Sequence, residues 1–256
     1  MIVSKIKALP SNKYELIIDE KKHIILGDVL LECNLLKPRE ITKEEYNKII
    51  TRNSFYENYR KIIRYIAFKM RTEKEIKTKL SSLHVPSVVQ NNIIDKIKEE
   101  GYLNNKQYLK SYIADQLNLT LNGPIKIINN LKKLGFAEKE IIPFIEDINN
   151  NIWIERINRI IQKKEKANHK LSIKKFKMKL EQDLYSLGYK SDMIKPLIEE
   201  IDFDDSSQLN SDYQKLYRKY SKKYNSDKLN SFIKQKLYML GYSIDEIENA
   251  VKSVNF

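Results

Sequence analysis

The residues in this chain best suited to chemistry are cations, and the chemistry is anion recognition. From Arg60 to Lys79 there are eight basic residues and two acidic ones; from Arg156 to Lys179, ten and one; from Lys215 to Lys236, eight and one. Arginines lead the candidates, because a planar guanidinium meets a phosphate or carboxylate with two parallel hydrogen bonds where an ammonium offers a point charge. The first set is Arg60, Arg64, Arg71 and Lys74, and the second is Arg156, Arg159, Lys163, Lys164, Lys174, Lys175 and Lys177. Arg218, Lys222 and Lys223 form the third, and Lys132 and Lys133 lie between the first two. One lysine-rich helix would be an ordinary solvated face; three clusters in phase, within a net charge of +13, suit a polyanion. Tyr59, Tyr65, Tyr213, Tyr217, Tyr220 and Tyr224 stand among these cations. Aromatics so placed can stack on unpaired bases, although helical spacing favours a place in the core.

Catalytic constellations are missing from the pattern. There is no phosphate-cradling glycine loop, dinucleotide fingerprint, nucleophile elbow or zinc-protease helix. His23, His84 and His169 are far apart, and Cys33 has no second cysteine with which to form a disulfide or a Cys-based zinc site. Asp202, Asp204 and Asp205 could hold a divalent cation in a nuclease, but no second carboxylate cluster completes the site. They read better as an acidic linker that lets the last part of the chain move. Trp153 reads as a core residue. The expectation is a non-enzymatic protein with no catalytic residue, metal or cofactor. No run of eighteen apolar residues could span a bilayer, and Met1 to Lys5 lacks a signal peptide's apolar stretch. With a single cysteine, a cytoplasmic protein is expected, and the further expectation is a monomer.

The cations must be positioned by helices, and the helices repeat. A Leu-Gly-aromatic core occurs as Leu134-Gly135-Phe136, Leu187-Gly188-Tyr189 and Leu240-Gly241-Tyr242, with a divergent copy at Leu83-His84-Val85. Five residues before the end of each core stands Leu80, Leu131, Leu184 or Leu237, and nine before it Ile76, Ile127, Leu180 or Ile233. Twelve after it stands Ile97, Ile148, Ile201 or Val254. The spacing describes an amphipathic helix, ended by a left-handed residue and followed at once by a second helix. A period near fifty residues marks tandem units stacked side by side. The basic residues fall in the early helices of each unit. The closing helices are acidic, with Glu138, Glu140, Glu146 and Asp147, then Glu199 and Glu200, then Asp245, Glu246 and Glu248.

The fold expected is mainly α: tandem three-helix repeats forming an elongated curved array, with a small N-terminal antiparallel β meander. Residues 1–50 hold three strands within 2–26, a short helix over 28–36 and the start of another at the Thr42/Glu45 capping box. Repeats are expected over 51–101, 102–148, 149–201 and 202–256, the first with helices over 55–69, 72–83 and 86–100. Pro143 and Pro196 share one offset, which predicts that the third helix begins just before each of them.

Arg71-Thr72-Glu73-Lys74-Glu75-Ile76 with Lys79-Leu80 resembles the opening signature of the RecX family of recombination regulators. Gly101-Tyr102-Leu103-Asn104-Asn105 with Tyr108 is similar to a second family segment, and Gly123-Pro124 with Leu131-Lys132-Lys133-Leu134-Gly135-Phe136 to a third. The strands over 2–26 and Lys37-Pro38-Arg39-Glu40 fit long members from Gram-positive bacteria. Asn104 and Asn105 depart from the family's acidic pair, and His84 from its glycine. The resemblance implies a partner, the RecA recombinase as monomer or filament on single-stranded DNA. It also implies damping of ATP hydrolysis, strand exchange and co-protease action in the DNA-damage response. Single- and double-stranded DNA are then electrostatic partners. The alternative is a general nucleic-acid-binding helical repeat protein without a RecA partner.

Overall fold

The N-terminal fifty residues build a sheet because their apolar residues alternate and their turns carry left-handed residues. The computed structural model describes residues 1–168 and 171–254. Strands β1 (Ile2–Leu9), β2 (Lys13–Ile18) and β3 (Lys21–Leu26) pair antiparallel, and β4 (Arg39–Glu40) adds to β1, giving the order β3-β2-β1-β4. Asp19 and Glu20, with φ of 43° and 66°, make the two-residue turn between β2 and β3. Val3, Leu16, Ile18 and Ile25 pack against Val29 and Leu30 of α1 (Gly27–Glu32) and Ile49 of α2 (Lys43–Phe68). A sheet this small needs that cover. The two-residue β4 was not visible as a strand in the sequence; it exists through its bonds to Ile2 and Val3.

The rest is helical, in sets of three. Repeat 1 uses α2, α3 (Glu73–Ser82) and α4 (Ser87–Glu99); repeat 2 uses α5 (Asn105–Leu119), α6 (Pro124–Lys133) and α7 (Glu138–Glu146). Repeat 3 uses α8 (Asn150–Lys166), α9 (Ile173–Leu187) and α10 (Ser191–Glu199); repeat 4 uses α11 (Ser206–Tyr220), α12 (Ser226–Met239) and α13 (Ile244–Val254). The capping boxes at Thr42/Glu45 and Thr72/Glu75 both form. The expected boundary at residue 50 falls inside α2, which runs unbroken from the sheet into the first repeat. The two matching prolines also sit deeper than expected: α7 and α10 begin five residues before Pro143 and Pro196. These helices are nine residues long, so each gives up one backbone bond and keeps the apolar faces Ile141–Ile145 and Ile194–Ile198 buried.

The chain divides into two compact units, residues 1–111 with 133–136, and residues 112–132 with 137–256. Within each, the Leu-Gly-aromatic corner is a joint as well as a helix end. The last residue of a corner donates its N–H to the leucine five before it: Val85 to Leu80 at 3.2 Å, Tyr189 to Leu184 at 3.2 Å, Tyr242 to Leu237 at 3.3 Å. The residue between must be left-handed, and φ is 56° at His84, 102° at Gly135, 87° at Gly188 and 99° at Gly241. A Cβ on Gly135 would lie 2.9 Å from Cβ of Lys74; on Gly188, 2.5 Å from the backbone N of Lys126; on Gly241, 2.8 Å from Oγ of Ser172. Those three neighbours mark the N-terminal ends of α3, α6 and α9, the middle helices of the preceding repeats.

Each joint therefore seats the C-terminal end of one middle helix on the N-terminal end of another, where opposite ends of two helix dipoles meet. The hydrogen bonds follow that polarity. In the first unit the Lys74 ammonium donates to the Lys133 carbonyl at 2.9 Å. In the second, the Gly123 N–H donates to the Leu187 carbonyl at 2.7 Å and the Ile125 N–H to that of Gly188 at 3.0 Å. The Ser172 hydroxyl donates to the Leu240 carbonyl at 2.6 Å. His84 ends the first middle helix, has no earlier repeat to seat on, and is exposed.

Candidate anion-binding surface

A cation can serve a ligand only if the fold has not already used it. Arg156 is used. It is 6% exposed, and its guanidinium donates to the carbonyls of Thr120 at 2.6 Å, Asn122 at 3.2 Å, Gln116 at 3.4 Å and, closer still, Leu117. These are carbonyls at and just beyond the end of α5, where a helix terminus runs short of N–H donors; that of Gln116 also accepts from Thr120. Arg156 thus closes α5 from the next repeat and does not reach outward, contrary to its place among the leading phosphate contacts. The sequence did carry a signal: Arg156 follows Trp153 by three residues and precedes Ile160 by four, on the apolar stripe of α8.

Arg71 is also engaged within the fold. Its guanidinium lies 3.9 Å from the Tyr65 ring centroid and 3.1 Å from the Glu75 carboxylate. Arg60 pairs with Asp28, Lys164 with Asp183, and Lys132 with Glu138 at 2.7 Å. The Lys177 ammonium donates to the Glu199 carbonyl at 3.2 Å. Lys74 belongs to the first joint, and half-buried Lys175 lies against the Gly241 corner. Lys133 and Lys174 have exposed side chains; the carbonyl of Lys133 is taken by Lys74.

Six candidates remain exposed with no side-chain hydrogen bond or ion pair among the described residues: Arg64, Arg159, Lys163, Arg218, Lys222 and Lys223. They share a place in the repeat. Arg64 lies in the second half of α2, Arg159 and Lys163 in the second half of α8, Arg218 in the last turn of α11, and Lys222 and Lys223 just past it. Arg159 and Lys163 are four apart, hence on one helix face. Cations in a last turn also complement the helix dipole, worth about 0.3–1 kcal/mol when exposed, so Lys163 and Arg218 have a structural share as well.

The tyrosines divide in the same way. Tyr213 is buried, Tyr65 lies under Arg71, and the Tyr59 hydroxyl bonds to Glu100 while burial raises its pKa. Tyr217 and Tyr224 remain exposed. Trp153 is core, 2% exposed with its ring edge-on to Tyr189.

The acidic segment is pinned, where a mobile linker was expected. The Asp205 carboxylate accepts the Ile173 N–H at 2.8 Å, Asp204 accepts that of Ser206 at 2.9 Å, and the Phe203 ring meets Phe176 at 5.6 Å. Burial pushes the Asp205 carboxyl up, although the bond from Ile173 opposes this. Among the described residues no three His, Cys, Asp or Glu side chains gather as metal ligands. His23 sits edge-on to Tyr46, His84 is the left-handed corner residue, and His169 lies outside the described residues. No helix among the described residues is long and apolar enough to cross a membrane.

Comparison with known proteins gives a consistent picture. No family model matches the chain. A regulatory protein RecX of Bacillus cytotoxicus is 32% identical over 225 residues, covering 86% of this chain and 83% of that protein. The regulatory protein RecX of Bacillus mycoides is 31% identical over the same shares. A crystal structure of a regulatory protein RecX matches in fold with a TM-score of 0.66 at 23% identity, over 76% of this chain and 98% of that one. The RecX of Lactobacillus salivarius matches with a TM-score of 0.53 at 25% identity, over 57% of this chain and 96% of that one.

Proposed function

Because the chain belongs to the RecX family of regulatory proteins, we propose that it regulates a RecA recombinase, alone or as its filament on single-stranded DNA. The action is to damp ATP hydrolysis, strand exchange and co-protease activity. The observation that carries this reading is similarity at 32% identity over 225 residues to a protein named as regulatory. The six unpaired cations support the polyanion side of it. Repeats 1, 3 and 4 each present such groups, and bridging neighbouring subunits or phosphates opposes the changes that turnover requires.

The surface proposed consists of Arg64, Arg159, Lys163, Arg218, Lys222 and Lys223, with Lys133 and Lys174 beside them. Arg60, Arg71, Lys132, Arg156 and Lys164 support it from within. The test titrates the protein into RecA on single-stranded DNA, following ATP hydrolysis and filament length. Loss of ATPase activity at stoichiometric protein is expected. Tight DNA binding without any RecA-specific effect would move the chain to the second reading, a general nucleic-acid-binding repeat protein, which the same unpaired cations favour.

A further inference from the structure

Repeat 4 carries an aromatic cluster at the turn from α11 to α12. Phe232 stands ten residues before Tyr242, where the other repeats carry Glu75, Lys126 and Lys179 at the matching offset. Its ring centroid lies 4.8 Å from that of Tyr220 and 5.0 Å from that of Tyr224, and the Tyr224 and Phe232 rings stack at 29°. Tyr220 packs on the core of the repeat, so the cluster is held from beneath. Tyr224, the outermost ring, is 39% exposed.

The surround is cationic. The Lys219 ammonium lies 5.4 Å from the Tyr220 ring centroid, and that of Lys236 5.4 Å from Phe232. Arg218, Lys222 and Lys223 are exposed and have no partner among the described residues. From Lys215 to Lys236 the one acidic residue is Asp227. A partner protein's apolar patch would gain little from such a rim. Single-stranded nucleic acid offers both complements, phosphates for the cations and open base faces for the rings. A duplex offers only the phosphates.

We propose that Tyr224, backed by Phe232 and Tyr220, is a stacking site for an unpaired base of single-stranded nucleic acid, with Arg218, Lys222 and Lys223 on the flanking phosphates. This deepens the reading of the basic surface as nucleic-acid-facing and rests on that reading; it adds a preference for single strands, carried by repeat 4.

The experiment uses the full chain with no recombinase present, so a failure of RecA regulation and a failure of base stacking are read separately. Affinity for a fluorescent oligothymidylate and for a duplex of equal length is measured by anisotropy across a salt series. Tyr224→Leu keeps an apolar side chain against Phe232 but removes the ring. It should weaken oligothymidylate binding about tenfold, leave duplex affinity and both salt slopes unchanged, and be rescued by Tyr224→Trp. Unchanged oligothymidylate affinity, or an equal loss on the duplex, overturns the proposal. Should Tyr224→Leu melt abnormally, photocrosslinking of the unaltered chain to an oligonucleotide carrying 5-iodouracil decides. Adducts on Tyr220, Tyr224 or Phe232 are expected, and adducts confined to other repeats overturn it.

Discussion

Arg156 and Arg159 are three residues apart on α8 and have opposite fates. Arg156 serves four carbonyls from the interior, while Arg159 is exposed without a partner among the described residues. Replacing a buried donor strands its acceptors, and bonds from charged groups are the costly ones to lose. Arg156→Ala should therefore destabilise the fold by about 3 kcal/mol, read as a lower urea midpoint. Arg156→Lys should recover little, because one ammonium cannot reproduce the fork. Arg159→Ala should stay within about 0.5 kcal/mol. Charge counting treats the two alike, since formal charge says nothing about direction. The apolar stripe through Trp153 and Ile160 does separate them, because Arg156 falls on it and Arg159 does not.

At the scale of elements, the corner illustrates what a local pattern conveys and what it omits. Capping boxes at Thr42 and Thr72 and the left-handed corners depend on residues within a turn or two and were legible in the sequence; the starts of α7 and α10 were not, because each short helix keeps its proline inside. The joint was not, because Lys74 and Gly135 lie 61 positions apart in the chain and the contact needs the absence of a side chain. That contact also accounts for His84. A left-handed residue is required at all four corners, but glycine only where another middle helix arrives. Gly188→Ala would place a Cβ 2.5 Å from the Lys126 backbone N and should cost about 3 kcal/mol or more, as strained backbone and overpacking add. His84→Gly should change stability by no more than about 1 kcal/mol, since relief of left-handed strain offsets the added freedom of the unfolded chain. Thermal melting of the two variants side by side reads the difference.

The link between α3 and α4 has a pH signature of its own. Glu73 meets Lys77 at 2.6 Å and Lys98 at 2.8 Å, and bonds from Lys77 first and then Lys98 hold its carboxyl below the usual range. The folded pKa is lower than the unfolded one, so the stabilisation is complete above the unfolded value and fades as pH falls through the folded one. Stability measured from pH 7 down to pH 3 should drop less steeply in Glu73→Gln than in the unaltered chain. Parallel curves would show that the pairs contribute nothing.

For the whole molecule, the question is how the unpaired cations are shared among the repeats. Repeats 1, 3 and 4 carry them in or just after the second half of their first helices. Repeat 2 does not, since the last turn of α5 holds no basic residue and its end is instead closed by Arg156. Repeat 2 thus has the end of its first helix closed by Arg156, while the first helices of the three others leave these candidate cations exposed. Each phosphate neutralised on a single strand releases counterions and adds about 0.7 to the slope of log affinity against log salt. The double change Arg159→Ala, Lys163→Ala should lower that slope by about 1.4 and weaken inhibition of RecA ATP hydrolysis. Unlike Arg156→Ala, it should leave the urea midpoint close to that of the unaltered chain. A full slope in this double variant would remove repeat 3 from the nucleic-acid surface. A reduced slope with undiminished inhibition would separate the two roles, leaving DNA to these cations and the recombinase to another part of the chain.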